Sequence, residues 1–334
     1  MNFSKDILKI DCSREADRIC DFIRQQLLRL RRDGAVIGLS GGIDSALSAA
    51  LCVKALGKDK VFGLILPDKE SSPQSEEFAA KHAQQLSIRA ETVSITPMLE
   101  AFGTYEKRDL IAKSVFPEFT KDYKLKITLP SDILNKESFN FFTLTIVDPQ
   151  GQTKTARLNN SQAKGIIAAT CTKHRNRMLV QYYYAEKMNY FVCGTTNKSE
   201  ALQGLFVKYG DGGVDIEPIA HLYKNQVFQL AEHLGVIKEI INRPPCPDTY
   251  SAPVTDEEWY FRMPYKMLDL LLYAWKNKVD ASIVCKVMEL TADQVTRVFK
   301  DFEHKYKATR HLNELPPTPA AGVSYEDLRE VHNS

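Results

Sequence analysis

The chain predicts an α/β fold, a Rossmann-like parallel sheet with helices on both faces, and three observations predict it. Short apolar runs alternate with helical patterns between residues 13 and 95, and such alternation builds parallel sheets because crossover helices cover both faces. Two glycine- or threonine-rich polar loops follow apolar runs that lie far apart in the chain, and α/β sheets bind ligands outside the carboxyl ends of their strands. With 334 residues and 44% hydrophobic side chains, the chain is long enough to bury a full core.

In order, Ser13 is placed to cap a helix whose apolar positions Ala16, Ile19, Ile23, Leu27 and Leu30 recur at three and four. Arg29, Arg31 and Arg32 suit its negative end. Ala35-Val36-Ile37 reads as a strand, Gly38-Leu39-Ser40-Gly41-Gly42-Ile43-Asp44-Ser45 as a tight turn, and Ala46, Leu47, Ala50 and Leu51 as the inner face of a helix. Adjacent glycines reach backbone conformations closed to other residues and bring N–H groups close to a ligand, with the positive helix end behind them. This is a phosphate cradle. It is not a Walker loop, since no lysine follows the glycines, nor a dinucleotide G-x-G-x-x-G. Asp44 stands between the hydroxyls of Ser40 and Ser45, and an acid beside phosphate makes sense when a hard cation such as Mg2+ bridges the two. Ordinary turns and caps use the same residue types, so the context decides.

A strand at Val61 to Leu66, a helix from about Gln74 to Leu86 and a strand from Arg89 to Ile95 follow. Between 104 and 159 the pattern changes: Phe139, Phe141, Phe142, Leu144, Ile146 and Val147 run into the turn Asp148-Pro149-Gln150-Gly151, then Lys154 to Leu158. This predicts a β-rich insertion packed on the main domain. A long helix from about Gln162 past Tyr184 carries Lys173, Arg175 and Arg177, which form a solvated face unless an anion is clamped there. Tyr190-Phe191-Val192-Cys193 is a fourth strand and ends in Gly194-Thr195-Thr196-Asn197-Lys198-Ser199-Glu200. Next come Lys208-Tyr209-Gly210-Asp211-Gly212-Gly213-Val214-Asp215 and a helix opened by Lys224, with Val227, Leu230 and Leu234 inward. Residues 262–334 read as a C-terminal helical extension of a single domain spanning 1–334. Its two short helices between Val279 and Arg310 mimic a helix-turn-helix, but Asp293, Asp301 and Glu303 are foreign to a basic recognition helix.

Composition narrows the function. With 44 Lys+Arg against 42 Asp+Glu, bulk charge suggests no nucleic-acid partner. The seven cysteines are scattered without a C-x-x-C pair, so neither a disulfide framework nor a zinc site is indicated, and a reducing cytoplasm fits. The seven histidines make no metal-ligand spacing, so any metal is oxygen-bound. Met-Asn-Phe-Ser-Lys-Asp is no signal-peptide start, and no run of about 18 apolar residues appears, so no membrane span is expected.

Ser-Gly-Gly-Ile-Asp-Ser at residues 40–45, Arg175-Asn176-Arg177-Met178, Gly-Thr-x-Asn-x-x-Glu at 194–200, Lys-Tyr-Gly-Asp-Gly-Gly-Val-Asp at 208–215, Pro218-Ile219 and Lys224 resemble, in this order, the ammonia-dependent NAD synthetases of the N-type ATP pyrophosphatase superfamily. The resemblance covers most of the chain apart from the insertion and implies the adenine nucleotide alpha hydrolase-like version of the fold. It implies that Gly38, Ser40, Gly41, Gly42, Asp44 and Ser45 hold ATP phosphates together with Thr195, Lys224 and Cys246. It also implies that Asp44 and Glu200 bind Mg2+, and that Asp44 and Lys224 serve catalysis. Arg175, Lys208, Asp211, Asp215 and the pair His304-Lys305 are implied for nicotinic acid adenine dinucleotide. Cys246 stands where the family usually has a hydroxyl, Thr170 or Cys171 where an asparagine is expected, and Val254-Thr255-Asp256-Glu257 keeps part of a Gln-Thr/Ser-Asp-Glu motif.

The implied reaction adenylates the dinucleotide's carboxylate with ATP and amidates it with ammonia, giving NAD, AMP and pyrophosphate in a homodimer. No glutaminase segment is read in the chain, so free ammonia or a separate glutaminase is expected to bring the nitrogen. The same loop also suits a related enzyme acting on another acid or on a tRNA base, or a nucleotide-binding module without chemistry.

Overall fold

The computed structural model describes residues 3–130, 132–135, 141–314 and 316; Phe139 and the end of the C-terminal extension lie outside the described residues. The first helix, α1 (Cys12–Arg29), begins earlier than expected. Asp11 rather than Ser13 caps it, its carboxylate accepting the Arg14 N–H at 3.1 Å, since a charged oxygen standing just ahead of the apolar repeat takes the cap first. Then follow β1 (Gly34–Gly38), α2 (Ile43–Leu56), β2 (Val61–Ile65), α3 (Pro73–Gln85) and β3 (Arg89–Thr92). Next are α4 (Thr96–Phe102), α5 (Thr104–Val115), the strands β4 (Lys124–Thr128), β5 (Thr143–Val147) and β6 (Thr153–Arg157), and the long α6 (Asn160–Met188). The chain continues through β7 (Tyr190–Cys193), α7 (Lys198–Gln203), α8 (Lys224–His233), α9 (Lys238–Ile241), α10 (Tyr265–Lys276), α11 (Ala281–Met288) and α12 (Ala292–Thr309).

The main sheet is parallel in the order β3-β2-β1-β7. Its centre, β1, is apolar without alternation because both faces are covered: Ala35, Val36 and Ile37 are all fully buried. On one face Ile37 and Phe191 pack with Ile19 and Ile23 of α1, Leu47 and Leu51 of α2, and Val227 and Leu230 of α8. On the other, Val36, Phe62 and Leu64 pack against Leu99 of α4 and Val180 of α6. From β1 the chain moves outward to β2 and β3, and returns much later to place β7 on the opposite side of β1. The order therefore reverses between β1 and β7, and a crevice opens outside their carboxyl ends.

Strands β4, β5 and β6 make a separate antiparallel sheet. Its alternation is that of a half-buried sheet: Leu125, Ile127, Leu144 and Ile146 pack on Ala112 of α5 and Phe116 just beyond it, Ile166 of α6, and Tyr250 and Val254. Residues 104–115, expected within a β-rich stretch, are instead helical. Tyr105, Arg108 and Ala112 are buried on one side of α5, at a helical spacing that α6 reads out. Helices α10, α11 and α12 turn Leu268, Leu272, Val284, Val295 and Phe302 into a common cluster. Among the described residues no helix is long and apolar enough to cross a membrane.

One expectation about α6 is corrected. Lys173 is not on a solvated face; it is 1% exposed and donates to Asp68 Oδ1 at 3.1 Å and Glu70 Oε2 at 2.8 Å. Arg108 joins Glu70 at 2.5 Å, Tyr105 donates to Asp68 at 3.2 Å, and Arg177 donates to the Leu66 carbonyl at 3.1 Å. The helix crosses the carboxyl end of β2, where the following loop brings two acids, and this juxtaposition is invisible to helical periodicity. The network pins the loop after β2 to α6. Removing one partner of a buried pair leaves an uncompensated charge and costs about 3–5 kcal/mol. Lys173→Ala should therefore lower the urea-unfolding free energy by about that much, and a loss below about 1 kcal/mol would show that the pair is solvated.

Candidate active site

The glycine loop leaves β1 and enters α2 at the edge of the crevice. Gly41 has φ 72°, and a Cβ there would lie 2.3 Å from the Ser75 carbonyl oxygen, so this position demands glycine on both counts. Gly42 is the extended N-cap of α2, a role that does not need positive φ, so only the first of the two glycines uses the special conformation. Ser45 Oγ donates to the Gly42 carbonyl at 3.0 Å and accepts the Ser40 N–H at 3.2 Å. The loop is thus held by its own side chains, with the N–H groups at the start of α2 lacking intrahelical partners.

Lys224, at the first position of α8, carries the centre of the site. Its ammonium is 2.5 Å from Asp44 Oδ2 and 3.3 Å from Glu200 Oε1. Burial works against its charge, but Asp44, Glu200 and Asp256 outweigh it and hold its pKa above the ordinary lysine value. Burial pushes Glu200 up to about 8, with Lys224 opposing and Asp44 and Asp256 adding to the shift. Position is set locally: Asn197 and Glu200 form a capping box on α7, with Asn197 N–H to Glu200 Oε2 at 3.2 Å and Glu200 N–H to Asn197 Oδ1 at 3.1 Å. Asn197 Nδ2 also donates to Asp44 Oδ1 at 3.0 Å. Glu200 therefore caps a helix with one oxygen and meets Lys224 with the other. Asp269 of α10 accepts from Ser199 Oγ at 2.6 Å and from the Asn225 N–H at 2.7 Å, fastening the start of α8.

Asp44, Glu200, Lys224 and Asp256 line a cavity of about 630 Å³ together with Arg175, His174, Cys171, Lys208 and Asp211, and with an aromatic and apolar wall of Phe142, Tyr250, Trp259, Tyr260 and Leu312. Burial lowers the pKa of His174, against the pull of Asp211, whose Oδ1 lies 3.5 Å from His174 Nδ1; the ring is accordingly neutral near pH 7. Arg175 Nη2 donates to the Lys208 carbonyl at 3.3 Å. Lys208 Nζ donates to the carbonyls of His311 and Glu314 at 2.9 and 2.7 Å, which ties the segment after α12 to this end of the cavity.

Of the residues predicted from sequence, Gly38, Ser40, Gly42, Asp44, Ser45, Arg175, Thr195, Glu200, Lys208, Asp211, Lys224 and Cys246 line this one cavity. Gly41 lies behind it at the turn. Asp215 does not line it: its carboxylate accepts the Val192 N–H at 2.7 Å and the Tyr182 hydroxyl at 3.3 Å, because the carboxylate folds back on β7. His304 lies in a separate groove on α12 beside Trp275 and Phe299. Lys305 is buried, donating to the Tyr260 carbonyl at 2.9 Å and pairing with Asp301 at 2.8 Å; adjacent helical positions face different ways, and neither residue lines this cavity. Sequence reading passed over Arg243, His174 and the aromatic wall, and met Asp256 only as part of a partial motif. A cation directly before Pro244-Pro245 was the available signal for Arg243, whereas nothing local marks Phe142 or Trp259.

Comparison with known proteins places these features in context. The family model described as NAD synthase matches residues 15–122 and 117–315. The NH(3)-dependent NAD(+) synthetase of Rhizobium meliloti (strain 1021) is 43% identical over 314 residues, covering 94% of each chain. That of Methanocaldococcus jannaschii is 34% identical over 305 residues, 91% of this chain and 95% of the relative. Among solved structures, an NH3-dependent NAD synthetase from Campylobacter jejuni aligns with TM-score 0.62 at 22% identity, over 93% of this chain and 100% of the other. The NMN synthetase from Francisella tularensis aligns with TM-score 0.65 at 24% identity, over 93% and 99%. Both structural likenesses concern the fold.

Behind the Gly194-Thr195 turn sits one more acid, half-buried. Glu217 Oε2 accepts the Thr196 N–H at 3.1 Å, and a Cβ on Gly194 would lie 2.4 Å from this carboxylate, so a side chain there would push the carboxylate aside. Burial pushes Glu217 up to about 8 from 4.5, with the Thr196 contacts opposing. A carboxyl whose folded pKa is raised binds its proton more tightly in the native state. Its contribution to stability is full below about pH 4.5 and is lost as pH rises to about 8. Glu217→Gln should remove that decline, giving an unfolding free energy roughly 1–3 kcal/mol above wild type at pH 9 and close to it at pH 5. Parallel pH profiles in urea denaturation would refute the assignment.

Proposed function

Because the chain belongs to the NAD synthase family, we propose that its cavity takes ATP and nicotinic acid adenine dinucleotide and amidates the latter's carboxylate with ammonia, yielding NAD, AMP and pyrophosphate. The carrying observation is that one cavity joins the glycine loop with the Asp44–Lys224–Glu200 cluster to an end bearing Arg175. A carboxylate resists ammonia because its oxygen is a poor leaving group. In the proposed reaction a carboxylate oxygen bonds to the α-phosphorus of ATP, the bond to the bridging oxygen breaks, and pyrophosphate leaves with the electron pair. Ammonia then attacks the acyl carbon and AMP departs.

The protein's part is to align two anions and stabilise the charge that develops, without a side-chain nucleophile. The N–H groups at the start of α2 and the Lys224 ammonium face the phosphates, and the Arg175 guanidinium is suited to a two-point contact with a phosphate or carboxylate of the dinucleotide. Among the described residues no group of three or more His, Cys, Asp or Glu side chains is arranged to hold a metal. Asp44 and Glu200 nevertheless fit Mg2+, which usually takes one or two carboxylates and completes its shell with phosphates and water. Bound there, it would neutralise phosphate charge. Leu110 of α5 and Leu179 and Tyr183 of α6 are exposed on neighbouring helices, which supports a homodimer; a cytoplasmic location and nitrogen from free ammonia or a separate glutaminase complete the reading.

Incubation with ATP, Mg2+, ammonia and a panel of acids should give AMP, pyrophosphate and amide in equal amounts with nicotinic acid adenine dinucleotide. Amidation of a different acid, or ATP binding without AMP release, would overturn the reading. Glu200→Gln should keep the fold, since Gln also completes a capping box, yet lower turnover at least about a hundred-fold, as should Asp44→Asn, because an amide is a poorer ligand and counter-charge. Arg175→Ala should raise KM for the dinucleotide roughly ten-fold or more and leave KM for ATP near wild type; an increase confined to ATP would place this arginine on the other substrate.

A further inference from the structure

The phosphate end of the cavity holds a second cation for which the reaction described above has no task. Arg243 follows α9 and leads into Pro244-Pro245-Cys246-Pro247, and it lines the cavity beside Ser75 and the glycine loop. Its Nη1 donates to the Gly41 carbonyl at 3.4 Å; its Nη2 donates to Ser75 Oγ at 2.8 Å and to Cys246 Sγ at 3.4 Å. None of these acceptors is a carboxylate. Lys224, in contrast, is already paired with Asp44 and Glu200, and the glycine loop has no lysine of its own. Arg243 is therefore the cation at this end that faces only uncharged acceptors, so its charge acts on whatever enters. Burial of Cys246 holds its thiol above the ordinary value, with Arg243 opposing, so the sulfur offers the guanidinium no full countercharge. The planar fork matches phosphate oxygens in pairs. Its long contacts to Gly41 and Cys246 are easily exchanged for anionic oxygens, while the Ser75 bond keeps it aimed.

We propose that Arg243 is the residue that holds the pyrophosphate leaving group, binding the β- and γ-phosphates against the glycine loop and stabilising the charge gained as the bond between the α-phosphorus and its bridging oxygen breaks. The guanidinium keeps its proton throughout, and no other group need donate one. This inference rests on reading the cavity as an ATP site that releases pyrophosphate.

The test is direct binding of inorganic pyrophosphate with Mg2+, by calorimetry, to wild type, Arg243→Gln and Arg243→Lys, with the acid dinucleotide titrated into the same proteins. Charge-assisted contacts are worth roughly 1.5–3 kcal/mol, or about ten- to a hundred-fold in Kd. Arg243→Gln should weaken pyrophosphate by that factor and leave the dinucleotide within about two-fold, and pyrophosphate should inhibit turnover correspondingly less. Arg243→Lys, which keeps the charge without the fork, should recover part of the loss; if the Gln variant melts early, the Lys variant carries the comparison. Unchanged pyrophosphate binding in the Gln variant, or an equal loss for both ligands, would overturn the inference and leave the enzyme assignment standing. Tight pyrophosphate binding by a wild type that forms no AMP would instead overturn the function while keeping the arginine's role.

Discussion

A single buried ammonium, that of Lys224, is the contact on which the site depends. It lies between Asp44 from the loop after β1 and Glu200 from the loop after β7, with Asp256 adding to the field around it. Without that cation, acids from three separated segments would face one another in a low-dielectric space, where like charges repel strongly. The lysine is in turn held by backbone: Asp269 of α10 accepts from the Asn225 N–H and so fixes the start of the helix that presents it. The core under α2, α8 and β7 and the polar cluster above it are thus parts of one arrangement.

Cations in and behind the cavity wall are held in three ways. Lys173 is buried with Asp68 and Glu70 and serves to fasten the loop after β2. Lys224 balances carboxylates at the centre. Arg175 and Arg243 donate to neutral oxygens and sulfur at the two ends, the arrangement the proposed phosphate and carboxylate contacts call for. A site for two polyanions needs this division, because a cation already neutralised by a carboxylate attracts phosphate weakly, and one with no anchor is free to reorient.

The walls come from parts of the chain that carry no recognisable chemistry. Phe142 precedes β5 of the small sheet, Tyr250 and Trp259 belong to the segment before α10, and Leu312 follows α12, yet all line the cavity. Trp259 and Tyr260 sit in a π-helical turn, Glu257–Phe261, a geometry that often marks functional positions. The carbonyl of Tyr260 is held by Lys305. Lys305 is thereby joined to the cavity wall through a neighbour.

By itself the sequence determined the parallel sheet, the strand-turn-helix at residues 34–56 and the polar loop at 194–200, because these follow from local periodicity and from spacings that a turn or a helix start imposes. What the sequence left open depended on neighbours distant in the chain. Lys173 has the pattern of a solvated residue and is buried only because Asp68 and Glu70 come to meet it; residues 104–115 become a helix where α6 packs on them; Asp215 turns back to β7; and His304 and Lys305, adjacent in sequence, face different ways on α12. Arg243 belongs to the phosphate end only because α9 and the prolines after it fold back over the glycine loop. Local chemistry names the groups able to hold phosphate and metal, but pairing, burial and aim are set by contacts between segments, and those exist only in the folded chain.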